Sequence, residues 1–158
     1  MLGPRRNQGP CGRLAWSGSE DASGSGMISN MADSVAVLVA EDQGIIASLI
    51  EMTLLDAGLT PTVVTSGVEA LALLSPPAPF DLLVTDIRME PGPDGWAVAA
   101  QAREGRPDIL VIYITGDSMD DWRIKGVPGS LLIAKPFLPE QLLEAIRSLR
   151  DGASADRP

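Results

Sequence analysis

Five side chains suited to moving a phosphoryl group follow apolar runs of strand length: Glu41 and Asp42 after Ser34–Ala40, Asp86 after Phe80–Thr85, Thr115 closing Ile109–Thr115, and Lys135 after Ser130–Ala134. Taken singly, such residues are ordinary. An acidic pair after a strand is usually a solvated loop or a helix N-terminal charge, and a Lys-Pro step is usually a turn. Taken together, three carboxylates, a hydroxyl and one of the two lysines of the chain share the chemistry of one site. Clustered carboxylates repel one another unless a hard cation lies among them, and Mg2+ prefers one or two carboxylates together with waters and phosphate oxygens. With a cation and Lys135 drawing charge from a transferring group and Thr115 donating to its oxygens, one carboxylate can attack phosphorus and become an aspartyl phosphate.

The elements between these residues explain why they would meet. Helical spacing runs over Ile45–Ala57 (Ile45, Ile46, Leu49, Ile50, Thr53, Leu54) and stops at Gly58. Thr60–Thr65 reads as a strand whose end, Thr65-Ser66, carries no assigned role, and Gly67–Leu74 as a short helix halted by Ser75-Pro76-Pro77. Helices are expected over Trp96–Arg103, Asp117–Lys125 and Pro139–Arg150, the last with Leu142, Leu143, Ile146 and Leu149 on one face. Strands buried on both faces read as unbroken apolar runs, and right-handed crossovers then give a parallel sheet with helices on both sides. In such α/β sheets ligands bind outside the carboxyl ends of the strands. Glu41, Asp42, Asp86, Thr115 and Lys135 all fall at that edge.

Composition removes competing chemistries. A length of 158 residues predicts one domain, and the absence of histidine excludes Ser-His-Asp and Cys-His nucleophiles, His-ligated zinc and a phosphohistidine intermediate. A single cysteine, Cys11, cannot form an internal disulfide or a Cys-based metal site. The net charge of −9 disfavours direct contact with nucleic acid. No apolar run reaches membrane-span length, and Leu14-Ala15-Trp16 is too short for a secretory signal, so no membrane association and a cytoplasmic location are expected. Residues 1–33 are rich in Gly, Ser and Pro and read as a disordered leader, with Met27 and Met31 as alternative starts; 34–150 forms the domain, and 151–158 reads as a flexible tail.

The strings Val37-Leu38-Val39-Ala40-Glu41-Asp42, Leu83-Val84-Thr85-Asp86-Ile87-Arg88-Met89, Asp94-Gly95, Ile114-Thr115-Gly116 and Ala134-Lys135-Pro136-Phe137 resemble the receiver domains of two-component response regulators over about residues 34–150. The resemblance implies a flavodoxin-like, doubly wound sheet of five parallel strands in order 2-1-3-4-5 with five helices. It further implies Asp86 as phosphoacceptor, Mg2+ held by Glu41, Asp42, Asp86 and the backbone carbonyl of Arg88, phosphoryl contacts from Thr115 and Lys135, and a cis Lys135–Pro136 bond. The sequence departs from the family in three places: the loop after Asp86 is one residue longer near Glu90, Leu132 stands where the family carries Tyr or Phe, and Arg88 and Asp117 occupy the positions that tune phosphate lifetime. Arg88 and Asp117 are able to pair across the site mouth.

The leading expectation is a stand-alone receiver that takes its phosphoryl group from a sensor histidine kinase or histidine phosphotransfer protein and signals to a downstream protein effector. It is not an enzyme beyond its own phosphorylation and dephosphorylation. The face formed by the fourth helix, fifth strand and fifth helix is the expected contact surface, with Trp122 either its anchor or simply half-buried. The alternatives are a pseudo-receiver that binds partners without phosphorylation, and an aspartyl-phosphate phosphatase, which would want an acid where Arg88 stands. No Walker A or G-x-G-x-x-G string supports nucleotide binding.

Overall fold

Apart from Pro61 and Asp86, the five strands are runs of Ala, Val, Leu, Ile, Thr and Tyr, which fit a pleated surface whose central strands are covered on both sides. The computed structural model describes residues 34–117 and 119–155. The expectations for residues 1–33, with Met27 and Met31, and for 156–158 lie outside the described residues. In chain order the elements are β1 (Ala36–Ala40), α1 (Gly44–Asp56), β2 (Thr60–Val64), α2 (Gly67–Leu73), β3 (Leu82–Asp86), α3 (Gly95–Gly105), β4 (Leu110–Thr115), α4 (Met119–Lys125), β5 (Leu131–Ala134) and α5 (Pro139–Ala155). All strand pairs are parallel and the order is β2-β1-β3-β4-β5, as expected.

Strand alternation divides the core in two. Leu38, Leu83, Val111 and Tyr113 point to the face covered by α2 and α3, with Ala70, Val98, Ala99 and Ala102. Val37, Val39, Val84, Ile112 and Ile114 point to the face covered by α1 and α5, with Ile50, Leu54, Leu142 and Ile146. α1 leaves β1 toward one face and α2 packs on the other, so the switch in strand order falls between β1 and β3, where the sheet opens a crevice at its carboxyl edge.

The ends of two helices differ from expectation. α5 does not stop at Arg150 but continues through Ala155, which corrects the flexible tail at 151–155. Asp151, Ala153 and Ala155 tolerate helix, Gly152 costs only about 1 kcal/mol relative to Ala, and the half-buried Ala153 lines an open cleft with Val35, Leu82 and Leu110. α4 begins at Met119 rather than Asp117, and the Asp117 N–H is bonded to Thr115 Oγ1 at 3.2 Å. The unassigned end of β2 caps α2: Ser66 Oγ accepts from Glu69 N at 3.1 Å while Glu69 Oε1 accepts from Thr65 N at 2.9 Å, a reciprocal cap.

Gly95 is required by space. A Cβ there would lie 2.2 Å from the Asp86 carbonyl oxygen and 2.8 Å from Ile87 Cα. Gly95 N also donates to Ile87 O at 2.7 Å, so the first turn of α3 is pressed against the segment that carries Asp86. Gly95→Ala is expected to destabilise the chain by about 2 kcal/mol, as overpacking against backbone does. Urea unfolding reads this directly, and an unchanged midpoint would show that the contact yields freely.

Candidate functional site

β1 delivers Glu41 into the sheet edge and Asp42 to its surface. Glu41 is 1 % exposed; its main chain extends the β1–β2 pairing through Glu41 N to Val64 O at 3.1 Å, and its Oε1 accepts from Gln43 N at 3.0 Å. Asp86, the last residue of β3, is 6 % exposed and its Oδ1 accepts from Arg88 N at 3.3 Å. Thr115 ends β4 and its carbonyl accepts from Lys135 N at 2.7 Å, which fixes the lysine beside the hydroxyl. From there Lys135 Nζ reaches Glu41 Oε2 at 2.9 Å and Asp86 Oδ2 at 3.2 Å. Glu41, Asp42 and Asp86 each bring an oxygen within 4.8 Å of the others. An open cavity of about 350 Å3 lies over them, lined by Asp42, Asp86, Arg88, Thr115, Asp117 and Lys135 among others.

Electrostatics at this edge are unbalanced. Burial pushes Glu41 up to about 7 from 4.5, the Gln43 N–H and Lys135 pull it down, and the neighbouring Asp86 carboxylate adds to the rise. Burial alone would lower Lys135, but Glu41 and Asp86 outweigh it and hold the ammonium above its ordinary range. Glu41 Oε2 lies at ion-pair distance from Lys135 Nζ yet off the direction a hydrogen bond needs, so this buried oxygen has charge compensation without a directed donor. One cation thus serves two buried carboxylates, with a third at the surface. That donor set, all hard oxygen with a buried lone pair unclaimed, fits a small divalent cation.

The structure brings together the five expected side chains, Glu41, Asp42, Asp86, Thr115 and Lys135, and Arg88 lines the same cavity. The Lys135–Pro136 bond is cis. Arg88 Nε and Asp117 Oδ1 pair across the cavity mouth at 3.0 Å, both well exposed, so the bridge contributes under about 1 kcal/mol to stability and acts as cover. Trp122 is half-buried: it packs toward the core and donates from Nε1 to Ser130 Oγ at 3.0 Å. Three roles escaped the sequence reading, although Gly95 stands there in the Asp94-Gly95 string. Gln43 N holds Glu41, Gly95 lets α3 approach Asp86, and Tyr113 lies buried below Thr115 on the same face of β4; for the last, its place two residues before Thr115 was the available signal.

A doubly wound parallel sheet with acids, hydroxyl and lysine at its carboxyl edge defines a flavodoxin-like α/β domain with its site at the topological switch. The chain belongs to the response regulator receiver domain family of two-component signalling, whose sequence model matches residues 37–147. Among relatives it is 30% identical over 137 residues to the transcriptional regulatory protein TcrA of Mycobacterium tuberculosis, covering 85% of this chain and 53% of that protein. It is 42% identical over 103 residues to the DNA-binding transcriptional regulator NtrC of Salmonella typhimurium, covering 64% of this chain and 22% of that protein. The chain therefore spans about half the length of the first relative and about a fifth of the second. Among solved structures, a response regulator receiver protein from Sinorhizobium medicae superposes with a TM-score of 0.74 at 40% identity, covering 77% of this chain and 98% of that one. The chemotaxis response regulator CheY4 of Vibrio cholerae superposes with a TM-score of 0.65 at 26% identity, covering 73% and 98%. Among the described residues no helix is long and apolar enough to cross a membrane.

Proposed function

We propose that this receiver domain accepts a phosphoryl group on Asp86 from a sensor histidine kinase or histidine phosphotransfer protein in the cytoplasm, and passes the signal to a downstream protein effector by contact. The observation that carries the reading is Lys135 Nζ lying between the buried Glu41 and Asp86 carboxylates, directly under an open cavity that Thr115 also lines. Glu41, Asp42, Asp86 and the backbone carbonyl of Arg88 would hold Mg2+, which when bound supplies neutralising charge for the phosphoryl oxygens. The chain's own groups do the rest. A carboxylate oxygen of Asp86, oriented through Oδ1 by the Arg88 N–H, forms the O–P bond while the donor's N–P bond breaks and its imidazole leaves. Lys135 offsets the charge gathered at the acyl phosphate, and the Thr115 hydroxyl donates to a phosphoryl oxygen. The domain is its own substrate, so the reaction is a modification of the chain rather than turnover.

Acetyl phosphate with Mg2+ tests this. The expected result is a mass gain of one phosphoryl group that is stable in acid and labile in base. No gain by a folded chain that fails to bind Mg2+ would leave a pseudo-receiver, a partner-binding module independent of phosphorylation.

Glu41 adds a pH signature. Its folded carboxyl holds a proton up to about 7, and that proton must leave before the oxygen can ligate a cation. Mg2+ affinity is therefore expected to be about tenfold weaker at about pH 6 than at about pH 8 by titration calorimetry. Equal affinities would remove Glu41 from the ligand set.

A further inference from the structure

We propose that Gln43 is a catalytic residue for loss of the phosphoryl group, its side-chain amide holding the water that attacks the acyl phosphate of Asp86. The role rests on the phosphoacceptor reading above and extends it to the second half of the cycle. Gln43 is the N-cap of the 13-residue α1, a place that favours Ser, Thr, Asp or Asn because a short side chain there accepts from the next turn. The Gln43 side chain makes no such bond, and its main-chain N–H is committed to Glu41 Oε1 at 3.0 Å. The first turn of α1 thereby gives up about 1 kcal/mol of capping. In exchange, an exposed amide with no partner among the described residues lines the cavity over Asp86.

The other side chains around that cavity are engaged. Lys135 Nζ is shared by Glu41 and Asp86 at 2.9 and 3.2 Å, Arg88 Nε and Asp117 Oδ1 hold each other at 3.0 Å, and Thr115 Oγ1 accepts from Asp117 N at 3.2 Å. Charge also rules most of them out. A water attacking phosphorus must be held by a group that accepts its hydrogen bond without repelling the phosphoryl oxygens; a carboxylate repels them, and an ammonium or guanidinium accepts nothing. A carboxamide accepts and donates from one planar group and stays neutral, which is how glutamine orients water in nucleotide hydrolases. Gln43 Oε1 would accept from the water and Nε2 would donate to a phosphoryl oxygen. The water oxygen forms its bond to phosphorus as the bond between phosphorus and the Asp86 oxygen breaks. The electron pair returns to the Asp86 carboxylate, one water proton passes to a phosphoryl oxygen, and dihydrogen phosphate leaves.

The test follows the loss of phosphoryl mass from the full chain, loaded with acetyl phosphate in excess Mg2+ and then freed of the donor by rapid desalting. Gln43→Leu, close in size but without an amide, is expected to lose the group about fivefold more slowly than the parent, the effect of one hydrogen bond of ordinary strength. Gln43→Ala, which leaves room for water, is expected to slow the loss as much. The slowing should be equal at about pH 6.5 and about pH 8.5, because an amide does not titrate. Unchanged loss in both variants overturns the role of Gln43 while leaving Asp86 the phosphoacceptor. Slowing by leucine alone would be exclusion of water by bulk, and slowing at one pH alone would mean that Gln43 acts through the Glu41 carboxyl held by its N–H; either overturns it too. A variant that fails to load, with parental stability in urea, assigns Gln43 to phosphoryl gain rather than hydrolysis and overturns it likewise. No gain by the parent chain overturns it together with the phosphoacceptor reading.

Discussion

Asp86→Asn is expected to show no phosphoryl gain from acetyl phosphate over the time in which the parent chain saturates, and to unfold at higher urea concentration when Mg2+ is removed by chelation. The first effect follows because an amide oxygen is a poor nucleophile towards phosphorus and its product has no stable acyl-phosphate form. The second follows from the charge count at the site. Glu41 and Asp86 share Lys135 Nζ at 2.9 and 3.2 Å, and the Asp86 charge raises Glu41. Removing one of two mutually repelling buried carboxylates, while keeping its shape and the Oδ1 acceptor for Arg88 N, leaves an even pair. The gain should be about 1 kcal/mol, the scale of one partly screened charge contact. Phosphoryl gain by the variant would move the acceptor to another residue, and lower stability would mean that Asp86 is held by attraction rather than merely tolerated.

Lys135→Ala is expected to do the opposite to stability. Its ammonium is 14 % exposed and is the only cation within ion-pair distance of Glu41 or Asp86 among the described residues. Without it two buried carboxylates face each other uncompensated, and loss of one partner from such a cluster costs about 3 kcal/mol or more. The loss should be largest without Mg2+ and should shrink when Mg2+ is added, since a bound cation restores compensation. Phosphorylation should slow by about a hundredfold, the usual effect of removing one group aimed at developing charge. Urea unfolding with and without Mg2+, beside the rate of mass gain, separates the two consequences. A variant with unchanged stability would show that Lys135 is not what offsets the repulsion between Glu41 and Asp86.

The strands were legible because each is a short unbroken run of apolar and β-branched residues, and that pattern is what burial on both faces of a parallel sheet demands. The edge residues were legible for the same reason: once the runs are aligned as parallel strands, whatever follows them must gather at one edge. Boundaries were less legible. Asp86 belongs to β3 because the strand pairs with Ile114 at that point, and α5 runs past Arg150 to Ala155. Neither fact has a local signal.

By itself, then, the sequence determined which chemistry is available: no imidazole, three acids, a hydroxyl and a lysine after successive strands, and so a domain organised around a carboxylate nucleophile. Only the tertiary structure decided how those groups are charged and held. Burial, the Gln43 N–H and a lysine shared by two carboxylates set the proton on Glu41, and a tyrosine beneath Thr115 ties down the far end of α4. The reason is physical. Apolar periodicity is a property of neighbours along the chain, whereas desolvation and ion pairing belong to neighbours in space, such as Glu41, Asp86 and Lys135, that no local pattern records.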